Sequence, residues 1–404
     1  AVTPLVFTSS LSVTILSQMG IAIIACLSYN MLLGQGGMLS FGHAVYTGLG
    51  SFLAIHALNS VSDGALPLPV SLIPLVGGVA GLGFAVLFGW VTTRKSGTTF
   101  AMITLGLGEL VFAMSLMIPE FFGGEGGVSG NRVIGKPFFG LTFGPPLQVY
   151  YLIAVYTFLA VAAMYAFTCT PLGRMLNAVR DNPERVEFVG YDTQRVRYLA
   201  FIISGFFAGI SGGLAALNFE IVTAEVVGAA RSGGYLLFTF LGGATIFFGP
   251  ILGGILMVLA FVLFSEFSKA WLLYLGLIFL LMVMFAPGGI ASLIMMNVRV
   301  ALYGRLRELA LPYLGLAATA LVMLAGGTSL VEMVYHLQLN QSQGPVVAYL
   351  GIGLHVDNTT HWLAAALVLA VGAGLFEWVR RRFVHRWGLI QAAIEADIRR
   401  REAG

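Results

Sequence analysis

Charged side chains are scarce in this 404-residue sequence: 10% of the residues are Asp, Glu, Lys or Arg, and 58% are hydrophobic. A soluble domain carries about 25% charged residues, so the composition excludes a chain whose whole surface faces water. The charges also cluster, because Ser71 to Thr93 contains none whereas Arg174 to Arg197 contains nine. Most of the surface is therefore expected to face lipid.

Cysteine and net charge are also low, with two cysteines and a formal net charge of +3. Cys26 and Cys169 lie in or beside apolar runs, so we interpret them as small core residues and expect no disulfide framework. The small net charge argues against nucleic acid as a partner. His, Cys and Asp do not recur at metal-ligand spacing, and we expect no metal site.

What the sequence does contain is a series of long apolar runs. Runs of about 20 residues match the hydrocarbon core of a bilayer, which only helices or closed barrels can cross. Barrel strands would alternate apolar and polar residues, and these runs do not. We therefore predict an all-α polytopic membrane protein with about 10–11 spans. The predicted spans are 10–33, 41–58, 70–93, 100–118, 147–168, 199–218, 234–248, 251–264, 271–286, 310–331 and 361–379.

Lys and Arg collect in four clusters, which counting the spans places on one face. The positive-inside rule assigns that face, and with it the C-terminus, to the cytoplasm. On the opposite face the basic residues are Arg132, Lys136 and Arg231. The four clusters are Arg94 with Lys95; Arg174, Arg180, Arg185, Arg195 and Arg197; Arg299, Arg305 and Arg307; and Arg380, Arg381, Arg382 and Arg386.

Two glycine-rich stretches, Asn30 to Gly50 and Gly242 to Gly254, interrupt the apolar runs. Each glycine disfavours a helix by about 1 kcal/mol relative to alanine. A broken helix frees backbone groups that can meet a polar solute in a transport site. An ordinary turn between two helices is the alternative for the first stretch, and a satisfied core histidine is the more typical role of His43. The predicted path residues are Asn30, Gln35, Ser40 and His43 at the first interruption, Thr245 at the second, and Thr104 and Glu109 in the predicted span 100–118.

Other glycines recur at helical spacing. Gly205, Gly209 and Gly213 form a ladder in the sixth predicted span, and Gly77, Gly81 and Gly89 begin a similar pattern in the third. Small residues let helices approach closely in lipid, so we interpret both patterns as packing surfaces.

A charged segment follows the fifth predicted span. Asp181 or Asn182 can cap a helix that begins at Pro183, and Gly190 is a plausible stop. A short charged helix suits docking to a soluble partner, with a plain solvated loop as the alternative.

Three motifs together resemble the permease subunits of branched-chain amino acid ABC importers, over about residues 10 to 295. They read GQGGMLSFGHAVYTGLGSF, RKSGTTFAMITLGLGEL and GRMLNAVRDNPERVEFVGYDTQRVRYLAFIISGFFAGISGGLAAL. The resemblance implies a type II-like ABC importer fold in a bacterial inner membrane. It also implies a second permease, two cytoplasmic ATPases and a periplasmic binding protein. This chain would bind no cofactor, because it has no GxxxxGK[ST] motif; the ATPases would use ATP and Mg.

The resemblance also implies that the charged segment couples the permease to its ATPases, with Glu184 to Gly190 at its centre. The coupling residues are then Arg174, Arg180, Asp181, Pro183, Glu184, Arg185 and Gly190. The expected role is uptake of branched-chain or related hydrophobic amino acids by alternating access. Urea, short amides or aromatic acids remain alternative substrates, and a secondary carrier is the rival mechanism. A membrane-embedded enzyme is disfavoured because no acid, base and metal constellation occurs in the sequence.

Two features depart from the family pattern. Ala244 and Thr245 stand where the family usually has more glycine, and the chain continues well beyond the usual end. We predict a permease core over 1–298 and an extension over 299–404 with two further spans. In its terminal segment Trp387, Ile390, Ile394 and Ile398 share one helical face. That segment is expected to lie on the membrane, to touch an ATPase, or to be a frayed solvated end.

Overall fold

The computed structural model describes residues 10–133, 142–339, 346–349 and 352–402, and most of these residues are helical. Lys136 lies outside the described residues. Helices α1 to α8 are Ser10–Leu33, Ala44–Ser62, Ile73–Thr92, Gly97–Met117, Pro119–Phe122, Pro146–Cys169, Pro171–Asp181 and Pro183–Phe188. Helices α9 to α16 are Thr193–Phe219, Ala229–Gly242, Gly249–Leu259, Ser265–Phe267, Trp271–Phe285, Gly289–Leu302, Leu306–Leu339 and Thr359–Glu402.

Short strands and tight turns complete the described chain. Strands β1 (Val128–Ser129) and β2 (Ile221–Val222) pair antiparallel, as do β3 (Val346–Tyr349) and β4 (Ile352–His355). The 3-10 turns are Val70–Leu72, Gly124–Gly126 and Ala224–Val227, and Ala260–Phe264 forms a π turn. Proline stands at the first helical position of several helices, where its missing N–H costs no hydrogen bond. Those prolines are Pro119, Pro146, Pro171 and Pro183.

Fewer helices in the structure are long and apolar enough to cross a bilayer alone than the number of spans predicted from the sequence. Within the described residues, seven helices are long and apolar enough, or eight if the bent pair α13 and α14 is counted as one span. The predicted count of about 10–11 also includes 41–58, which corresponds to the 19-residue α2, and the shorter spans 234–248 and 251–264. The predicted span 234–248 corresponds to the 14-residue α10. The predicted span 251–264 corresponds to α11 together with the π turn that continues it to Phe264.

The chain forms two compact units. The first comprises Ala1–Phe264 and Leu277–Ser292, and the second Ser265–Gly276 and Leu293–Gly404. The predicted boundary at residue 298 between a core and an extension stays a prediction.

Glycines let α3 and α9 of the first unit touch backbone to backbone. A Cβ added at Gly77 would lie 2.6 Å from the Gly209 carbonyl oxygen and 3.0 Å from Gly213 Cα. A Cβ at Gly81 would clash with the Gly205 carbonyl oxygen. The two predicted ladders therefore face each other, and their role as a packing surface is confirmed.

Hydroxyl groups join α1 to the neighbouring helices. Ser211 Oγ donates to the Ile21 carbonyl oxygen at 3.0 Å, and Ser204 Oγ donates to that of Ser28 at 2.6 Å. From α10, Thr239 Oγ1 donates to the Cys26 carbonyl oxygen at 3.2 Å. Such bonds hold α1 centrally in the bundle without charged side chains.

One ion pair closes the end of the first unit that carries β1 and β2. Arg132 Nη1 lies 3.3 Å from Glu220 Oε2, and its Nε donates to the Phe143 carbonyl oxygen at 2.9 Å. Arg132 thus links Glu220, at the end of α9, to Phe143.

The second unit is built on the pair α15 and α16. A Cβ added at Gly372 would lie 2.6 Å from Met323 Cα, so these helices also approach closely. Further along α16, Ile390 and Ile394 are buried against Val300 and Leu309. The frayed-end alternative is therefore wrong, because Trp387, Ile390 and Ile394 pack within the second unit. Contact of this segment with the membrane or with an ATPase stays a prediction. The Ile398 side chain is not among those the structure describes.

Candidate translocation site and coupling segment

The first glycine-rich stretch is a buried break between α1 and α2. Residues 34–43 are not helical, yet Ser40 and His43 are fully buried and Asn30, one turn before the break, is also buried. Gln35 is partly buried. An exposed turn would leave these side chains in water, so the arrangement favours the predicted buried break over an ordinary surface turn.

The polar groups of this break are incompletely paired. His43 Nε2 lies 2.9 Å from Ser28 Oγ, and Tyr29 Oη donates to the Ser40 carbonyl oxygen at 2.9 Å. Among the described atoms, Asn30 Oδ1, Ser40 Oγ and His43 Nδ1 have no hydrogen-bond partner. A buried polar group without a partner costs about 1–3 kcal/mol, so these atoms are suited to meeting a polar solute.

Thr104 belongs to the same cluster, whereas two other predicted path residues do not. Thr104 Oγ1 accepts from the Phe41 N–H at 3.1 Å, which ties α4 to the break. Glu109 lies one and a half turns further along α4 and is exposed, and Thr245 is also exposed. The path role of Glu109 and Thr245 stays a prediction that this cluster does not support.

The second glycine-rich stretch is a break between α10 and α11, and it touches the first. Gly243 has φ +115°, a conformation that side chains disfavour. A Cβ added at Gly34 would clash with the Ala244 carbonyl oxygen. Two interruptions that are more than 200 residues apart in sequence therefore meet in one place.

A third break, at the end of the predicted span 271–286, contacts the second break. Helices α13 and α14 are bent by 51° across residues 286–288. A Cβ at Gly243 would lie 2.6 Å from the Gly288 carbonyl oxygen, and Gly289 has φ +69°. The run Pro287-Gly288-Gly289 was the available signal, because it carries the same helix-breaking residues as the first two.

Arg231 is one of the basic residues that the sequence places on the face opposite the four clusters. It lies at the start of α10, and its Nε is 3.3 Å from Tyr235 Oη. It lines a cavity of about 110 Å³ whose other walls are mostly apolar. The Tyr235 ring in turn lies 6.4 Å from the His43 ring, measured between centroids. The apolar walls include Ile21, Ala22, Met257, Val258 and Phe261.

The charged segment after α6 is a pair of capped short helices. Thr170 Oγ1 accepts from the Gly173 N–H at 3.2 Å, and Asn182 Oδ1 accepts from the Arg185 N–H at 3.0 Å. Helix α8 begins at Pro183, as predicted, and Gly190 follows it with φ +93°. The plain-loop alternative is wrong, and of the two cap candidates Asn182 caps the helix.

The charged segment presents an exposed face of mixed apolar and charged character. Phe188 and Val189 are 90% and 71% exposed. Beside them lies a cavity of about 390 Å³ that has both apolar and charged walls, including Met175, Asp181 and Arg185. The predicted coupling residues Arg174, Pro183 and Glu184 are also exposed. Such a face is available to a partner protein.

Arg180 connects this segment to the first break. Its Nη1 donates to the Gly34 carbonyl oxygen, while its Nη2 lies 2.9 Å from Asp181 Oδ1. A Cβ added at Gly37 would lie 2.8 Å from Arg180 Cγ, so the side chain lies directly on the break. The predicted coupling residue Arg180 thus contacts the backbone of the break that also contains Gln35, Ser40 and His43.

Three helix breaks that meet in an apolar helical bundle, the first of them buried, together with a capped charged segment, are typical of a membrane transport protein of the permease class. The chain belongs to the family described as branched-chain amino acid transport system / permease component, whose model matches residues 11–287. It is accordingly a multi-pass inner-membrane protein and the permease component of an ABC transporter, not an enzyme.

Individual relatives agree with the family. The chain is 30% identical over 305 residues to the high-affinity branched-chain amino acid transport system permease protein LivM of Salmonella typhimurium, covering 69% of each chain. It is 30% identical to the Escherichia coli protein of the same name, covering 67% of each. A shorter similarity, 29% over 124 residues, links it to the guanosine ABC transporter permease protein NupQ of Bacillus subtilis, covering 28% of this chain and 37% of that protein. No solved structure matches the chain.

Proposed function

We propose that this chain forms half of the transmembrane path of an ATP-driven importer for branched-chain or related hydrophobic amino acids. Its partners are a second permease, two cytoplasmic ATPases that use ATP and Mg, and a periplasmic binding protein that delivers the substrate. The observation that carries the mechanism is the Arg180 contact, which joins the charged segment to the buried break. The four Lys and Arg clusters favour a cytoplasmic position for that segment and for the C-terminus.

In this mechanism the ATPases move α7 and α8, and Arg180 transmits the movement to the Gly34 backbone. The three breaks are in contact, so a shift of one displaces the helix ends of the other two. Glycine is suited to this role because it accepts the φ change without a side-chain clash. The half-helices then separate towards one side of the membrane or the other.

The Arg231 cavity is a candidate contact for the substrate. Its cation lies in the first turn of α10, where the positive helix end also favours an anion. Apolar walls from α1 and α11 surround that cation. A carboxylate next to an aliphatic side chain has the matching chemistry, which favours hydrophobic amino acids over urea and short amides. At about 110 Å³ the cavity is small, so the bundle would have to open for entry.

The test is uptake by the assembled importer in liposomes. We expect labelled leucine, isoleucine and valine to enter only with ATP and binding protein, and urea or benzoate not to compete. Uptake of urea or benzoate in preference to the amino acids would replace the substrate assignment. Uptake that continues without nucleotide would favour the secondary carrier.

A charge reversal in the coupling segment separates the two mechanisms further. We expect Glu184→Lys with Arg185→Glu to abolish both uptake and co-purification of the ATPases. Arg195→Glu, an exposed position beyond α8, is the matched control and should retain both. An unchanged transporter after the double reversal would contradict the coupling role.

A further inference from the structure

The second unit contains a groove between α15 and α16 that the transport mechanism does not use. Its volume is about 510 Å³. Leu311 and Pro312 line it from α15, and Trp378, Arg382 and Arg386 line it from α16. The α15 wall of the groove is therefore apolar, whereas the α16 wall carries arginines beside Trp378, Val379 and Phe383.

The groove lies where α16 changes from apolar to charged. Residues 361–379 contain one charged side chain, Glu377, whereas 380–386 contain four arginines and a histidine. This change of composition marks the boundary between acyl chains and headgroups, and tryptophan at position 378 is typical of that depth. A ligand in the groove would thus have one end in hydrocarbon and the other among cations.

The arginines at this boundary are not equivalent. Arg380 and Arg381 both bind Glu377, with N···O distances of 2.6 and 2.8 Å. In the part of the chain that the structure describes, Arg382 and Arg386 have no carboxylate partner. The Arg382 guanidinium carbon lies 3.7 Å from the Trp378 ring centroid, which orders the side chain and leaves its edge donors available.

We propose that this groove binds an anionic phospholipid, with Arg382 and Arg386 holding the headgroup phosphate. The two arginines are one helical turn apart on α16, so both can reach the same group. Leu311 and Leu314, 74% and 67% exposed, continue the apolar wall along the outside of α15 and provide contact for an acyl chain. Basic pockets between membrane helices have this specificity for anionic lipid. A soluble anion would use the arginines but not the apolar wall.

The test measures which lipids stay bound to the purified full chain. Native mass spectrometry would compare retention of phosphatidylglycerol and phosphatidylcholine after exchange into detergent. We expect a preference for phosphatidylglycerol that falls about tenfold in Arg382→Gln with Arg386→Gln. The matched control is Arg380→Gln with Arg381→Gln, which removes the same charge at the same depth and should change the preference less than twofold.

Two further measurements keep the proposal falsifiable if the glutamine variant folds poorly. Arg382→Lys with Arg386→Lys retains the charge and should keep at least half of the preference. Glycerol phosphate, which lacks acyl chains, should not displace the lipid at millimolar concentration. The proposal would be overturned if the glutamine pair and the control pair lost the lipid preference equally. It would also be overturned if the lysine pair lost as much preference as the glutamine pair, or if glycerol phosphate displaced the lipid.

Discussion

At the scale of single residues, the distance from a glycine to its neighbours determines whether a side chain could replace it. At Gly209 an added Cβ would clash with backbone, so only glycine fits there. At Gly83 no atom lies near an added Cβ, so a side chain has room. The surroundings of Arg231 matter in the same way, because mostly apolar walls enclose its charge in a small cavity.

Gly209→Ala should destabilise the first unit because its Cβ would clash with the Gly77 carbonyl oxygen. Forcing α3 away from α9 costs about 1–3 kcal/mol, which exceeds the gain of about 1 kcal/mol in helix propensity. The midpoint of thermal unfolding in detergent should fall by several degrees. Gly83→Ala is the control, because nothing lies within 4 Å of its added Cβ, and its midpoint should be unchanged or higher.

Arg231→Gln should raise the apparent KM for leucine uptake by about tenfold, because a charge-assisted hydrogen bond to the carboxylate is lost. Basal ATP hydrolysis by the assembled importer should be unchanged. Tyr235→Phe removes the hydroxyl that binds Arg231 but keeps the ring, so a smaller rise is expected. An unaltered KM in Arg231→Gln would exclude this residue from substrate contact.

At the scale of helices and breaks, features that depend on neighbouring residues could be predicted from the sequence, and contacts between distant segments could not. The caps and the proline start of α8 depend on neighbouring residues, so its limits were predictable. The meeting of Gly34, Ala244 and Gly288 depends on contacts between distant segments, and helical periodicity carries no such information.

Arg180→Gln should separate ATP hydrolysis from transport. The variant loses the charged donor to the Gly34 carbonyl oxygen, an interaction of about 1.5–3 kcal/mol, so uptake should fall by at least about tenfold. ATP hydrolysis should continue, because the exposed face around Phe188 is unchanged. Arg195→Gln, whose side chain pairs with Asp192 in the same segment, serves as the control for removal of a positive charge. Full uptake in Arg180→Gln would refute the proposed linkage.

At the scale of the whole molecule, the family match and the compact units divide the chain in similar places. The match ends at residue 287, and the second unit takes up the chain continuously from Leu293. The second unit has a small core of its own, in which Val300 and Leu309 contact Ile390 and Ile394. The sequence predicted the shared face of Ile390 and Ile394, but not the helices on which that face packs.

Ile394→Asp should release the terminal part of α16, because it places a charge in this core. Trypsin should then cut at Arg399 and Arg400 at least several times faster than in the unchanged protein. Leu389→Asp is the control on the same helix, since Leu389 is 57% exposed, and should leave the cleavage rate unaltered. Equal cleavage of both variants would indicate that the tail is not docked.

Helix α16 is continuous from Thr359 to Glu402, and 44 residues at 1.5 Å each make it about 66 Å long. Only about 30 Å of that length is needed to cross the hydrocarbon layer. Spin labels at positions 360 and 400 would therefore be separated by about 60 Å along one rigid rod. Because that separation should not vary with nucleotide or solute, it would calibrate spectroscopic distances measured elsewhere in the assembled importer.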